Sequence, residues 1–283
     1  MPKTIPRLGA RLVLIGLALL AAACEQERTA YALTSTGRIL GFDTADPTDL
    51  SSEVTVRGLA TDESLVQLDY RPATGTFYCI TSQFRVCTVD PTTGSVTLVS
   101  QTAFAEDLAN PVIDFNPRVD RLRVISSEQN LRVNPNDGSL AATDTPVAYD
   151  NDDVNDNRTP QLAAIAYDRN ENGESATTLF GLDVTTRSLV RIGSRNGSPD
   201  APDTGRLFTL GQLPVSFTLN SGFDIEPEGD TAYAALSGSG SGSVLYRIDL
   251  DDGSADRVDV IDEGNQTVIS LTVGPEEDTG GNN

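Results

Sequence analysis

Histidine is absent from the 283 residues of this chain, and its absence excludes several kinds of chemistry. Without imidazole there is no Ser-His-Asp or Cys-His nucleophile, no histidine metal ligand and no histidine proton shuttle. Tryptophan is also absent, and Lys3 is the only lysine, so every other basic side chain is an arginine. The polar chemistry available to a site is therefore that of carboxylates, arginines, amides and hydroxyls.

Positive charge is scarce as well. The chain has 20 Lys and Arg against 41 Asp and Glu, a formal net charge of -21. Binding of nucleic acid depends on basic side chains that neutralise phosphates, so we expect no nucleic-acid partner. Such a hydrated carboxylate surface suits a salty or calcium-containing exterior.

The first 23 residues have the pattern of an export signal. Lys3, Arg7 and Arg11 precede an apolar run over residues 12–20, and small residues then lead into Cys24. The run is shorter than the roughly 20 residues that a transmembrane helix needs. The pattern resembles a bacterial lipoprotein signal, which predicts a lipid on Cys24, a cell-envelope location in the periplasm or at the outer membrane or cell surface, and membrane contact through that lipid alone. Cleavage near Ala23 and a secreted soluble protein are the alternative.

Two further cysteines lie in a predicted hairpin. Cys79 and Cys87 fall on either side of a turn at residues 82–84, and reflection about Gln83 places them opposite each other. Facing Cβ atoms in a hairpin are about 4.5–5.5 Å apart. An exported protein meets oxidising conditions, so the sequence predicts a disulfide between them. The alternative is two small apolar core residues.

An internal repeat dominates the rest of the chain. Residues 29–43 align without a gap on residues 76–90, 47 positions later. A second element, hydrophobic-Asp-x-x-Pro, occurs as LDYRP, IDFNP and FDIEP, and weaker copies are IAYDR and LTVGP. The Asp-equivalent position of the five copies falls at residues 69, 114, 166, 224 and 272. A period of 45–58 residues is typical of propeller blades and solenoid repeats.

Each repeat contains about four short alternating runs separated by turn signals, which is the pattern of a four-stranded blade. The amino-terminal part supplies three strands, at residues 31–34, 38–42 and 54–59, and residues 268–273 supply one more at the other end. The sequence therefore predicts an all-β, five-bladed β-propeller over residues 30–274, closed by pairing of its terminal strands. Six or seven blades would require splitting residues 174–213. Residues 24–29 are predicted to be a linker and 275–283 a disordered polar tail.

A family resemblance rests on the segments LDYRPATG (68–75), IDFNPRVDRLRV (113–124) and QNLRVNP (129–135). Together they resemble the bacterial secreted family known as domain of unknown function 4394, over roughly residues 30–274. The resemblance implies a propeller-like fold, and it brings no catalytic residues with it. The chain has Phe84 where the family pattern favours glycine, as at Gly37 here.

A basic cluster in the third repeat is the first candidate site. Arg121 and Arg123 share one face of a predicted strand, and Asn130, Arg132 and Asn134 share a face of the next. Guanidinium groups bind carboxylates or phosphates in pairs of hydrogen bonds, which points to a small anionic ligand. The alternative is that the arginines pair internally with Asp69, Asp114 or Asp120.

The recurring acids are the second candidate. Asp69, Asp114 and Asp224 occupy equivalent positions on three predicted innermost strands, and a carbohydrate-active hydrolase could use them at the mouth of the channel, with Glu226 as a possible acid. Recurrence in every good copy favours a role in the fold instead. The sequence thus favours a non-enzymatic protein.

Calcium is the third candidate, and no cofactor is required by the pattern. Asp168, Asn170 and Asn172 match the first half of an oxygen-ligand calcium loop, but its closing glutamate is replaced by leucine. Asp150 and Asp152 lie in a second oxygen-rich stretch.

From these observations we expect an exported, lipid-anchored, monomeric scaffold that binds a protein, a glycan or a small anionic ligand. Two alternatives stay open, the hydrolase and a purely structural cell-envelope lipoprotein.

Overall fold

The computed structural model describes residues 28–274, except 228–230, 239 and 241. The predicted signal, Cys24 and the tail from residue 275 onwards lie outside the described residues. Among the residues described, no helix is long and apolar enough to cross a membrane.

The described chain forms 21 strands and three short 3-10 helices. The strands are β1 (Thr29–Thr34), β2 (Arg38–Asp43), β3 (Asp46–Thr55), β4 (Leu65–Arg71), β5 (Thr76–Thr81), β6 (Val86–Val89), β7 (Val96–Leu98), β8 (Val112–Asn116), β9 (Arg121–Ile125), β10 (Asn130–Val133), β11 (Leu140–Asp144), β12 (Ala148–Tyr149), β13 (Leu162–Tyr167), β14 (Leu179–Asp183), β15 (Ser188–Ile192), β16 (Arg206–Gln212), β17 (Ser221–Ile225), β18 (Ala232–Ser237), β19 (Ser243–Ile248), β20 (Ala255–Val260) and β21 (Val268–Val273). The helices are Arg195–Gly197, Pro202–Thr204 and Ile261–Gly264.

Five sheets form the blades of a propeller, which confirms the predicted fold, and neighbouring strands within them are antiparallel except for β12 and β16. From the innermost strand outwards, blade 1 is β21-β1-β2-β3, blade 2 is β4-β5-β6-β7, blade 3 is β8-β9-β10-β11, blade 4 is β13-β14-β15-β16-β12 and blade 5 is β17-β18-β19-β20. The innermost strands contact one another in a ring, in the order β21, β4, β8, β13, β17 and back to β21. The stretch 174–213 stays within one blade, so the count is five.

Pairing of β1 with β21 closes the ring. Ala30 lies opposite Val273 and Ala32 opposite Leu271, so the carboxyl-terminal strand completes the sheet that the amino-terminal strands begin. This confirms the predicted closure, which also protects the edge of β1 from pairing with another chain.

Two outer strands differ from the sequence prediction. The third strand of blade 1 is Asp46–Thr55 and not residues 54–59, because the polar segment after Asp46 pairs with β2 as an outer edge strand. Blade 4 has a fifth strand that was not predicted, β12, which pairs with β16 in parallel. Neither departure affects the innermost ring.

The innermost strands are buried on both faces, since each packs against its own blade and against both neighbouring blades. All six residues of β13 are buried, and three of them are alanines that permit close approach. Gly222 on β17 shows how tight the ring is: a Cβ there would lie 2.4 Å from the backbone nitrogen of Leu271 on β21. The chain therefore has little free space on the propeller axis at this level.

Candidate functional site

Three carboxylates meet on the axis of the propeller, and we call Asp69, Asp114 and Asp224 the axial carboxylates. They lie on β4, β8 and β17, and one oxygen of each lies within 4.8 Å of the others. Their exposed fractions are only 1–2%. The shared repeat position predicted that they were equivalent, and the five-bladed geometry brings them into contact. No other group of three or more acidic or cysteine side chains comes together in this way within the described residues.

Each axial carboxylate ties its blade to the next one. Asp69 accepts a hydrogen bond of 2.7 Å from the backbone N–H of Phe115, and Asp114 accepts one of 2.7 Å from Tyr167. Asp224 accepts one of 2.7 Å from Val273. In every case the donor is the residue that follows the equivalent position of the neighbouring blade.

The other two blades complete the pattern differently. Thr272 takes the acid's place in blade 1, and its hydroxyl oxygen accepts a hydrogen bond of 3.2 Å from the N–H of Tyr70. Blade 4 has Ala166 at this position, and the N–H of Ile225 bonds instead to Asp224 in its own strand at 2.7 Å. The recurring acid therefore joins neighbouring blades, which explains physically why it recurs.

Burial raises the pKa of all three axial carboxylates. The pKa of Asp224 is raised to about 7, although hydrogen bonds from Val273, Ile225 and Thr272 act in the opposite direction. Burial and then the charge of Asp224 hold the pKa of Asp69 well above its usual range. The pKa of Asp114 is held high by burial and then by the charges of Asp69 and Asp224. The cluster therefore keeps its protons to a higher pH than carboxyl groups in water do.

This geometry does not suit glycoside hydrolysis. The axial carboxylates lie inside the ring and not at the mouth of the channel, so a sugar cannot reach them. Hydrolases that retain or invert configuration hold their carboxyl groups about 5–9.5 Å apart around the substrate, whereas these approach one another directly. Glu226, the possible acid, is also buried, with an exposed fraction of 9%.

The arginines of blade 3 are engaged within the protein. Asp144, at the end of β11, accepts hydrogen bonds of 2.7 and 2.8 Å from Arg132 and one of 3.1 Å from the buried Arg123. Arg123 also donates to the hydroxyl of Tyr167 in blade 4 at 2.8 Å and to the side chain of Asn130. These two arginines pair within the protein, as the alternative interpretation predicted. Their partner is Asp144, however, and not Asp69, Asp114 or Asp120.

The remaining members of that candidate site do not converge on a common point. Arg121 donates to the backbone oxygen of Asp120 at 2.9 Å. The Asn130 amide donates to two backbone oxygens, those of Thr145 and Pro202, both at 3.0 Å. The side chain of Asn134 caps its own turn by accepting from the N–H of Asn136.

The calcium candidates are spread out in the same way. One oxygen of Asp168 already accepts from the backbone of Thr178 at 2.6 Å and from Arg169 at 2.9 Å. Asn170 is buried with no hydrogen-bond partner for its amide, whereas Asn172 is exposed. In the second stretch, Asp150 accepts from Arg206 and from the N–H of the exposed Asp152. Calcium stays a prediction without a converging set of ligands.

Cys79 and Cys87 lie on β5 and β6 as a directly opposed pair. Their Cα atoms are 4.9 Å apart and their sulfurs are bonded. Both residues are fully buried in a cluster with Leu68 and Leu33, so the bond joins two strands inside blade 2.

A pocket that the sequence did not reveal opens at the amino-terminal ends of the innermost strands. We call it the axial pocket. Its volume is about 360 Å³, and every blade lines it, through residues that include Gln67, Val112, Ala163, Asn220 and Ile269. No ionisable side chain is among the described residues that line it. Gln67 precedes Asp69 by two positions, so the axial carboxylates lie deeper, by roughly 7 Å along the strand.

Phe84 forms part of the wall of the axial pocket in an unusual backbone conformation. Its φ is +55°, the left-handed region that favours glycine, and the equivalent Gly37 of the first repeat has a φ of +74°. A non-glycine residue there costs about 1–2 kcal/mol. Strain of this kind, held in place by the surrounding structure, is often found at functional sites.

Taken together, the fold and the pocket define a β-propeller with an uncharged cavity on its axis. The chain belongs to the family described as domain of unknown function (DUF4394), whose model matches residues 38–272. The resemblance found in the sequence is thereby confirmed. No curated protein matches the chain.

Several solved structures are similar to this chain. PorZ, a bacterial surface component of the type-IX secretion system of Porphyromonas gingivalis, is 12% identical with a TM-score of 0.39; the match covers 82% of this chain and 27% of PorZ. A chain of a nidogen/laminin complex is 13% identical with a TM-score of 0.44, and the match covers 88% of this chain and 98% of that one. BamB from Moraxella catarrhalis is 10% identical with a TM-score of 0.33, over 80% of this chain and 68% of BamB. None of these likenesses bears on the function of this chain.

Proposed function

We propose that this protein is an exported, non-catalytic binding propeller that holds a small uncharged group of a ligand in the axial pocket. The observation that carries this proposal is the cavity itself, to which all five blades contribute and in which no described side chain is ionisable. Ligand pockets typically measure 300–1,000 Å³ and combine an apolar lining with a few polar groups. The axial pocket has this size and this composition.

The placement of the charged groups supports binding over catalysis. The axial carboxylates are buried below the pocket and hydrogen-bonded to backbone N–H groups, so they are not accessible to a substrate. Among the described residues that line the pocket, none can act as a general acid, a general base or a charged nucleophile. A scaffold that binds without reacting fits these contacts best.

An uncharged ligand also fits better than an anion. The arginines that the sequence suggested for an anion are paired with Asp144, and the chain as a whole carries a charge of -21 that repels anions. An ion entering the pocket would lose hydration without gaining an opposite charge.

Blocking the mouth of the pocket tests the proposal. Asn220 lines the pocket and is exposed, so the Asn220→Trp variant is expected to fold normally and to weaken binding of an uncharged probe, N-phenyl-1-naphthylamine, by at least tenfold. Fluorescence titration of the probe measures this. The matched control is Asn172→Trp, an exposed asparagine after β13 that does not line the pocket, and its affinity should equal that of the wild type. Equal binding by both variants, or a wild type that binds neither this probe nor any other uncharged ligand, would contradict the proposal.

The location of the protein is the second part of the proposal, and it rests on the export signal before Cys24. The full chain, expressed with its own signal in a bacterial host, is expected to begin at Cys24 and to carry lipid there. Mass spectrometry of the mature protein measures both. The Cys24→Ser variant should lack the lipid mass. An unmodified Cys24 in the mature wild type would leave a secreted soluble protein instead.

A further inference from the structure

The chemistry of the axial pocket identifies a class of ligand, and this inference rests on the proposed function. We infer that the axial pocket binds a neutral sugar residue of a glycan. Two independent features of the pocket carry this inference: free amide groups at its rim, and a mostly apolar lining that includes an aromatic residue.

The rim carries amide groups that are free to bind. Asn110 and Asn220 are both exposed and line the pocket, and no hydrogen bond joins either side-chain amide to another described residue. An amide side chain offers two donors and one acceptor oxygen. A sugar hydroxyl both donates and accepts hydrogen bonds. A side-chain amide can therefore serve it as acceptor through its oxygen and as donor through its nitrogen, without carrying a charge.

Most of the lining is apolar. Val112 and Ala163 line the pocket and are 3% and 1% exposed, and the half-buried Phe84, which also packs against the apolar core of blades 2 and 3, lines it as well. A pyranose ring has C–H groups on its faces and hydroxyls around its edge. Its face can therefore pack against Phe84 while its edge reaches the amides of the rim, whereas a purely apolar ligand would leave those amides without partners.

The conformation of Phe84 supports a binding role for its ring. At the equivalent turn of the first repeat the chain uses glycine, which adopts a positive φ without strain. Blade 2 has a strained aromatic residue instead, and that residue lines the pocket. The chain therefore has an aromatic residue at a backbone position where glycine would be less strained.

A crevice leads away from the axis toward the loops of blades 3 and 4. It shares Asn110, Leu162 and Leu219 with the axial pocket and continues between Ser126, Ser127 and Gln161. Its own polar groups are hydroxyls and an amide, again without charge. Its volume is only about 10 Å³, room for roughly one water molecule, so the sugar residue itself is assigned to the axial pocket alone.

Titration of the full-length folded protein with neutral oligosaccharides tests the inference. The probes are gluco-, xylo-, manno- and galacto-configured di- to tetrasaccharides, followed by calorimetry, with oligogalacturonate as the acidic counterpart. We expect at least one neutral series to bind and oligogalacturonate not to bind. The Phe84→Gly variant removes the ring and relieves the left-handed strain, so it should keep the fold, checked by its melting curve, and bind at least tenfold more weakly. Asn220→Ala should also bind more weakly, and Asn172→Ala should bind as the wild type does.

The outcomes separate this inference from the proposed function. If no neutral sugar binds but N-phenyl-1-naphthylamine does, and Asn220→Trp blocks it, the sugar inference is overturned and the axial binding site remains. If neither sugars nor the naphthylamine bind, both are overturned. Binding of oligogalacturonate alone, or sugar binding that Phe84→Gly leaves unchanged, also overturns the sugar inference.

Discussion

The Asp114→Asn variant is expected to be more stable than the wild type at pH 7.5 and nearly as stable as the wild type at pH 4. Only one oxygen of Asp114 accepts a backbone hydrogen bond, from Tyr167, and the pKa of the group is held high by burial and by its two acidic neighbours. An asparagine has the shape of the protonated acid, and its oxygen can still accept from Tyr167 while its amide donates to a neighbouring carboxylate. The expected gain at pH 7.5 is on the order of 1–3 kcal/mol, the range for relieving a poorly compensated buried polar group.

The pH dependence has a definite sign. The raised pKa values mean that the folded protein binds protons which the unfolded chain releases above about pH 4, so stability is lost as the pH rises from about 4 to 7. For Asp224, the shift from 3.8 to about 7 corresponds to roughly 4 kcal/mol. Asp90 affects stability in a different pH range. Hydrogen bonds from Thr92 and Thr93 lower its pKa to about 2, so its contribution to the stability of the fold is lost only as the pH falls toward that value. Urea denaturation of the wild type and the variant from pH 4 to 8 measures the difference.

Asp224→Asn is the control for this argument. Both oxygens of Asp224 accept backbone hydrogen bonds, from Ile225 and from Val273, so an amide nitrogen at either position would face an N–H group. That variant should therefore be less stable than the wild type at both pH values. Destabilisation of Asp114→Asn at pH 7.5 would show that Asp114 is needed as a charged group.

The fold could be predicted from the sequence because the signal is periodic. The position shared by Asp69, Asp114 and Asp224 recurs once in each blade. Counting its copies in the sequence therefore gives the number of blades, and each copy marks the innermost strand of its blade. The short strand β12 has no such signal. Its two residues pair with β16 across more than fifty positions of sequence, and only the folded blade brings them together.

The candidate site could be predicted only in part, for the same physical reason. The spacing of the repeats identifies equivalent positions, but it gives neither the distances between their side chains nor their burial. The axial carboxylates were therefore predicted at the mouth of the channel. The axial pocket is formed by one to four residues from each of six separate segments of the chain, and these residues lie outside the recurring motif. Phe84 did carry a signal, because it replaces the glycine of the first repeat, and its φ of +55° gives that substitution a structural meaning.

Replacing Asp144 with asparagine is expected to destabilise the protein by about 3–5 kcal/mol, the usual loss when one partner of a buried ion pair is removed. The Asp144 side chain is 5% exposed and pairs with both Arg123 and Arg132. Because the Arg123 side chain is only 4% exposed, the variant would leave its charge buried without a carboxylate. At about 2–4 °C per kcal/mol for a chain of this size, the melting temperature should fall by roughly 6–20 °C.

The exposed pair of Arg38 and Glu53 is the matched control. Its side chains are 42% and 38% exposed, and such pairs contribute about 0–1 kcal/mol, so Glu53→Gln should hardly change the melting temperature. If the arginines of blade 3 instead served an anion, Asp144→Asn would free Arg123 and Arg132 and the protein would gain affinity for inorganic phosphate at little loss of stability. A large loss of stability with no phosphate binding therefore assigns these arginines to the joint between blades 3 and 4, where Arg123 reaches Tyr167.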